Sequence, residues 1–281
     1  MSTTGPPLPD DEAWHRAGVA GAEELHAGKQ SRVFAASLAG TDVVVKLTDR
    51  RACDRATLSS RMEAVLALAR ELPVVVAPVR LDDELIRPIA DWWMTATPFV
   101  AGGPLDVTDP GDAHLMGVTL AHLHEALARL PVLAIPTVAA LDAVPGVADR
   151  TGRQLLHGDF SDQNVLATSA GLRVLDFDDC GYGPVEYDVA NSLYMVLFDA
   201  EVTSRPDQYE AFRPPFLRGY AHGAGRELAD AAVDALIGAR ITALGCWLDD
   251  LPSAPIGIRT SSPAWLDTLR SFVRSHGPSA R

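Results

Sequence analysis

Lysine is almost absent from this chain: only Lys29 and Lys46 occur, against 22 arginines in 281 residues. Where arginine is used so freely, a retained lysine marks a place that needs a compact, flexible ammonium. Lys46 closes the run DVVVK. Cysteine is scarce too. Cys53, Cys180 and Cys246 are odd in number, far apart and without a CxxC pair, which argues against a disulfide framework and fits free thiols in a reducing cytoplasm. Positive charge is in deficit, with a formal net charge of −13. That makes a nucleic-acid backbone a poor partner and attracts cations, small cationic molecules among them; solubility alone is the plainer account. No apolar run has the length of a membrane span, since VLALARELPVVVAPV is cut by Arg70, Glu71 and two prolines. MSTTGPPLPDDE lacks the basic and apolar regions of a signal peptide and reads as a flexible tail, residues 1–19. The expectation is a cytoplasmic protein with no nucleic-acid and no membrane partner.

What is present divides the chain in two. Residues 1–98 carry 11 basic against 14 acidic side chains, and residues 99–281 carry 13 against 23. VFAASL (33–38) and DVVVKLT (42–48), joined by AGT, predict a hairpin. RATLSSRMEAVLALAREL (55–72) has helical apolar spacing and stops at Pro73. VVVAPVRL and WWMTATPFV predict further strands. AGGPLDVTDPGD (101–112) is a linker by composition. Beyond it HLMGVTLAHLHEALARL is an amphipathic helix, and helical stretches are predicted near 186–200, 208–221, 227–250 and 262–275. The predicted units are a sheet lobe, residues 20–99, and a larger helical lobe, residues 100–281.

The densest polar group lies in LLHGDFSDQNVL (155–166), held between apolar flanks. His157, Asp159 and Asn164 form HxDxxxxN, and Asp176 follows twelve residues after Asn164, in VLDFDD. Phosphoryl transfer needs such parts. A carboxylate must orient a hydroxyl and take its proton, which is the place for Asp159. Magnesium needs hard oxygen ligands, supplied by Asn164 and Asp176. Lys46, at a strand end, would hold nucleotide phosphates, and Glu63 in the next helix would hold Lys46, although Glu71 shares that helix. GKQSR (28–32) lies where a loop would cover the phosphates; its Ser31 either contacts a phosphate or caps a turn.

Together HGDFSDQN, LDFDD, GPVEYDVANSLY and LAHLHEAL resemble the aminoglycoside phosphotransferase and choline kinase branch of the protein-kinase-like superfamily. The resemblance spans roughly residues 25–200. GKQSR departs from a GxGxxG loop, and after residue 200 only helical texture remains. The resemblance implies an α+β, bilobal protein-kinase-like fold with a small antiparallel-sheet N-lobe and a larger helical C-lobe. It implies transfer of a nucleotide γ-phosphate to a hydroxyl with Mg2+, the sequence not separating ATP from GTP. It places the nucleotide base on the TPFV hinge, including Phe99 and Val100, puts Asp162 near the acceptor, and makes Asp188 a support of the catalytic loop.

Other residues receive plainer readings. His157 is a structural histidine of the loop. His122 and His124, two apart on a helix, point to different faces and do not make a metal site. Cys180 is inert, and Trp92 and Trp93 are packing residues. Asp178, Asp179, Glu186, Asp199 and Glu201 form a denser acidic group, part of which is expected to face the acceptor. An acidic acceptor side suits a cationic antibiotic. In size and texture the chain is similar to enzymes that phosphorylate cyclic peptides of the capreomycin and viomycin type. The alternatives are an aminoglycoside O-phosphotransferase, a homoserine- or choline-type kinase, and a catalytically silent binding module on the same fold.

Overall fold

The computed structural model describes residues 6–27, 31–138, 141, 153–254 and 256–277. Gly28, Lys29 and Gln30 of the GKQSR segment lie outside the described residues. β1 (Val19–Ala27), β2 (Ser31–Leu38), β3 (Thr41–Asp49), β4 (Arg87–Ile89) and β5 (Trp92–Pro98) form an antiparallel sheet in the order β1-β2-β3-β5-β4. The β2–β3 hairpin closes through Ala39 and Gly40 at φ 50° and 80°, the paired positive values that match a two-residue turn to strand twist. Along β3, Val43, Val45 and Leu47 are buried with Phe34, Met94 and Ala96. Strand alternation therefore sends Lys46 to the opposite face of the sheet.

Helix α2 (Arg55–Glu71) starts at Asp54, whose side chain accepts the Thr57 N–H at 2.9 Å, and stops at Leu72 before Pro73. It packs two ways. Leu58 and Met62 meet Leu85 and Ile86, whereas Ala64, Val65 and Leu68 join the main core of the helical lobe. That core centres on Leu120, Leu123, Phe160, Phe212 and Phe216. It is built by α3 (Pro110–Arg129), α4 (Glu186–Val202), α5 (Asp207–Ala224), α6 (Asp230–Asp249), the short α7 (Ile256–Arg259) and α8 (Pro263–His276). α3 and α5 cross on glycines: a Cβ on Gly117 would meet the Phe216 carbonyl at 2.1 Å, and one on Gly219 the His114 carbonyl at 2.0 Å. Between the lobes, β6 (Gly103–Pro104) pairs with β8 (Val165–Thr168), which pairs with β9 (Gly171–Val174). β7 (Gln154–Leu156) pairs with β10 (Gly181–Gly183).

Three expectations are corrected. Residues 6–19 are not a loose tail: α1 (Asp11–Arg16) is capped by Asp10, Trp14 packs edge-on against Phe34, and Trp92 Nε1 donates to the Pro7 carbonyl at 2.9 Å. VVVAPVRL is not a strand. Pro73 and Pro78 each remove a backbone donor, and the segment instead docks on β9 through an isolated Val75–Val174 bridge. Finally α6 is long and apolar enough by composition to cross a membrane, with a mean hydropathy of 1.4; here it packs against α4 and α8.

Candidate active site

The HGD loop follows β7 and turns at Gly158, whose φ is +86°. A Cβ there would lie 1.9 Å from the Asp179 carbonyl, so both the backbone angle and the space require glycine. Asp188, fully buried in the first turn of α4, fixes the turn from behind. Its Oδ1 accepts the Gly158 N–H at 2.9 Å and its Oδ2 the His157 N–H at 2.8 Å. His124 Nε2 donates to Asp188 Oδ2 across 3.1 Å, and the Tyr220 hydroxyl lies 2.9 Å from His124 Nδ1. The loop therefore rests on a chain of buried partners from three helices. His157 is structural: the Asp159 N–H reaches its Nδ1 at 3.3 Å, so Nε2 carries the proton donated to the Leu175 carbonyl at 2.9 Å. Its ring packs on Phe160 and Phe177.

The Asp159 carboxylate is oriented by two amides. Asn191 Nδ2 donates to Oδ1 at 3.1 Å and Asn164 Nδ2 to Oδ2 at 3.2 Å. Asn164 Nδ2 also donates to the Asp159 carbonyl at 2.8 Å, which turns its amide oxygen away and leaves that oxygen as an acceptor. Asp176 adopts φ +59°, a left-handed conformation that Asp tolerates and that functional sites retain. Its side chain is 41% exposed. The hard oxygens of Asn164 and Asp176 suit a divalent cation that completes its shell with phosphate oxygens and water.

Lys46 reaches this loop from β3, with Nζ 2.7 Å from Asp176 Oδ1 and 2.8 Å from Asp178 Oδ2. Burial would lower the Lys46 pKa, but the two carboxylates outweigh it and raise it. Burial alone would raise Asp176 as well; the Lys46 charge and hydrogen bond hold it below the usual carboxylate range. Asp178 moves up instead, through burial that Lys46 only partly offsets and the like charge on Asp176.

Glu63 does not hold Lys46. It is exposed, because a residue two positions along a helix is turned by about 200°. The α2 residue that faces the loop is Arg61, on the same face as Leu58 and Val65, and its Nε donates to the Cys180 carbonyl at 2.9 Å. Asp178, expected on the acceptor side, belongs with Lys46. Ser31 is buried at the start of β2. At the hinge, the Phe99 N–H donates to the Asp42 carbonyl at 3.1 Å and its side chain is exposed; Val100 follows directly.

Asp162 opens the 3-10 turn Asp162–Asn164; burial, together with the charge on Asp199, pushes it up to about 6. Its Oδ1 is buried and makes no hydrogen bond. Asp179 is pushed up to about 6 by burial and by the charges on Asp159, Asp178 and Asp176. The charge on Glu186 acts on Tyr220, behind the loop. Burial pushes the Cys180 thiol up to about 12, which fits its inert reading.

Sequence reasoning did not find His124, Tyr220, Asn191, Arg61 or Arg240. A signal existed for one group: Asp188, Asn191 and Ser192 stand at i, i+3 and i+4, one face of a helix. All three serve the loop, Ser192 Oγ donating to the Phe160 carbonyl at 2.9 Å. Arg240, on α6, has its guanidinium 5.1 Å from the Tyr194 ring centroid and 5.8 Å from that of Tyr187. Burial would lower its pKa, but Tyr187, Tyr194, Asp159 and Asp179 raise it.

Residues 139–236 match the model of the phosphotransferase enzyme family (APH), a segment that contains Asp159, Asn164, Asp176 and Asp188. Over that segment the chain is similar to phosphotransferases. Its fold is that of the kinases with which it superposes. An amicoumacin kinase in complex with AMP-PNP and Ca2+ is 17% identical, with a TM-score of 0.74 over 95% of this chain and 92% of the other. A microcompartment-associated aminopropanol kinase is 17% identical, with a TM-score of 0.67 over 92% and 90%. A spectinomycin phosphotransferase in complex with ADP and spectinomycin is 12% identical, with a TM-score of 0.58 over 97% and 96%. No curated protein matches the sequence.

Proposed function

We propose that this protein moves the γ-phosphate of ATP to a hydroxyl of an amine-bearing, cationic acceptor. One observation carries the acceptor assignment. Asp162 is held beside the catalytic loop with its Oδ1 buried and unpartnered, close enough to Asp199 for the two charges to repel. A buried carboxylate oxygen without a donor is costly, and an ammonium group of the acceptor relieves it.

Asp159, fixed by Asn164 and Asn191, accepts the proton of the acceptor hydroxyl. The acceptor oxygen bonds to the γ-phosphorus, the bond from that phosphorus to the β–γ bridging oxygen breaks, and ADP leaves. Lys46 holds nucleotide phosphates once it exchanges Asp176 and Asp178 for them. Asn164 and Asp176 would hold Mg2+, which neutralises charge on the phosphates when bound. The assembled Lys46, Asp159, Asn164 and Asp176 speak against a catalytically silent module.

Among cationic acceptors, cyclic peptides of the capreomycin and viomycin type are the first candidates, with a serine hydroxyl as acceptor. A small amino alcohol is the second, favoured by the superposition on an aminopropanol kinase. Purified protein with Mg-ATP should be incubated with capreomycin, viomycin, kanamycin, hygromycin, homoserine and choline, and the products weighed by mass spectrometry. Phosphate on a cyclic peptide supports the first candidate. Phosphate only on homoserine or choline replaces it with the second, and a panel left wholly unmodified refutes the cationic-acceptor reading.

A further inference from the structure

Arg240 is a half-buried charge that the phosphoryl transfer described above leaves unused. Its Nε is buried without a partner, and among the described residues its guanidinium makes no hydrogen bond and no ion pair. A guanidinium whose Nε is held out of water without an acceptor is costly, and contact with two aromatic rings offsets only part of that cost. The group therefore awaits an oxygen ligand.

Its position says which one. The charges on Asp159 and Asp179 act on Arg240, yet neither carboxylate is within ion-pair distance. The rings beside it, Tyr187 and Tyr194, belong to α4, the helix whose Asn191 orients Asp159. The nucleotide side has its own cation, Lys46, which comes from β3 and meets Asp176 and Asp178. Arg240 comes from α6 instead, on the side of Asp159 and Asp179. A planar guanidinium offers paired donors that fit an acyl oxygen.

The geometry points to Arg240, backed by Tyr187 and Tyr194, as the receptor for an acyl oxygen of the acceptor, borne on the carbon that carries the amine. This rests on the reading of Asp162 as the ammonium site. Recognition is then three-point: ammonium to Asp162, hydroxyl to Asp159, acyl oxygen to Arg240. The acyl oxygen comes either from the carboxylate of a free hydroxy amino acid or from the carbonyl of a serine residue within a peptide.

Three probes separate these sources: L-serine, L-serinamide and ethanolamine share the amine and hydroxyl and differ only in the acyl group. Binding to full-length protein loaded with Mg-AMP-PNP is measured by calorimetry, and transfer with Mg-ATP by mass. Wild-type protein is expected to prefer an acyl probe over ethanolamine by about 10- to 100-fold, the range of a hydrogen bond to a charged group. Preference for L-serine identifies a carboxylate, and preference for L-serinamide a peptide carbonyl. Arg240→Met should abolish the preference while leaving ethanolamine binding unchanged. It should not lower the Tm, because a merely structural arginine is the one whose loss would. Equal binding of all three probes, or of none, overturns the assignment, as does an equal loss on all three in Arg240→Met. Transfer to ethanolamine without acyl preference sinks the Arg240 assignment alone; absence of transfer to any amine-bearing hydroxyl sinks the function on which it rests.

Discussion

Asp188 Oδ1 accepts the Gly158 N–H at 2.9 Å, from a side chain with no solvent exposure. The same carboxylate accepts the His157 N–H and faces His124, so one residue satisfies three buried donors. Asp188→Ala would orphan them all. The expected loss is about 3–5 kcal/mol, as for a buried charged partner removed from its network. Urea unfolding measures it, and a loss below about 1 kcal/mol would show that water replaces the carboxylate.

Lys46 and Glu63 test the lobe contact. Lys46→Met removes the cation aimed at the nucleotide phosphates and should raise the KM for ATP by about 10-fold or more. Glu63→Gln should stay within about 2-fold of wild type, because an exposed side chain away from the cleft changes neither binding nor stability. Steady-state kinetics at saturating acceptor decides. A Glu63→Gln defect as large as that of Lys46→Met would mean that α2 rotates to form the pair when nucleotide binds.

The legibility of the sequence was uneven for physical reasons. The scarcity of lysine and a strand end pointed to Lys46, and the HxDxxxxN spacing to Asp159 and Asn164, because short-range patterns carry both. Helix periodicity located α2 but not its rotation: Glu63 and Arg61 are two residues apart, and only packing of Ala64, Val65 and Leu68 on the large core sets which of them faces the cleft. VVVAPVRL had strand composition, yet its prolines left only an isolated bridge to β9. His124 was read only as a failed metal ligand. Its partners, Asp188 and Tyr220, are 64 and 96 residues away, beyond any local pattern.

Asp159→Asn tests the proton acceptor. The amide can keep one of the two hydrogen bonds from Asn164 and Asn191, but it cannot take a proton. kcat should fall by about 10²–10⁴-fold, with nucleotide affinity and Tm near wild type. Stopped-flow detection of ADP release, with AMP-PNP titration as the control, reads both quantities. A kcat within about 10-fold of wild type would move the base role to another group.

Asp162 links the acceptor site to pH. Its carboxyl is pushed from 3.8 up to about 6, by burial and by Asp199, so the native state binds the proton more tightly than the unfolded chain does. This group's contribution therefore falls as pH rises from about 4 to about 6 and is flat above that. Groups held low, Asp49 and Asp54 among them, slope the other way, so the comparison must be with Asp162→Asn rather than with wild type alone. In metal- and nucleotide-free protein, Asp162→Asn should have the higher Tm at pH 7.5, by about 2–4 °C, and lose that advantage near pH 4.5. The same variant should bind a cationic acceptor at least about 10-fold more weakly at pH 7.5, because it lacks the carboxylate that meets the ammonium. A variant less stable than wild type at both pH values would mean that a donor already satisfies Asp162 in the folded protein, and the ammonium site would have to be sought elsewhere.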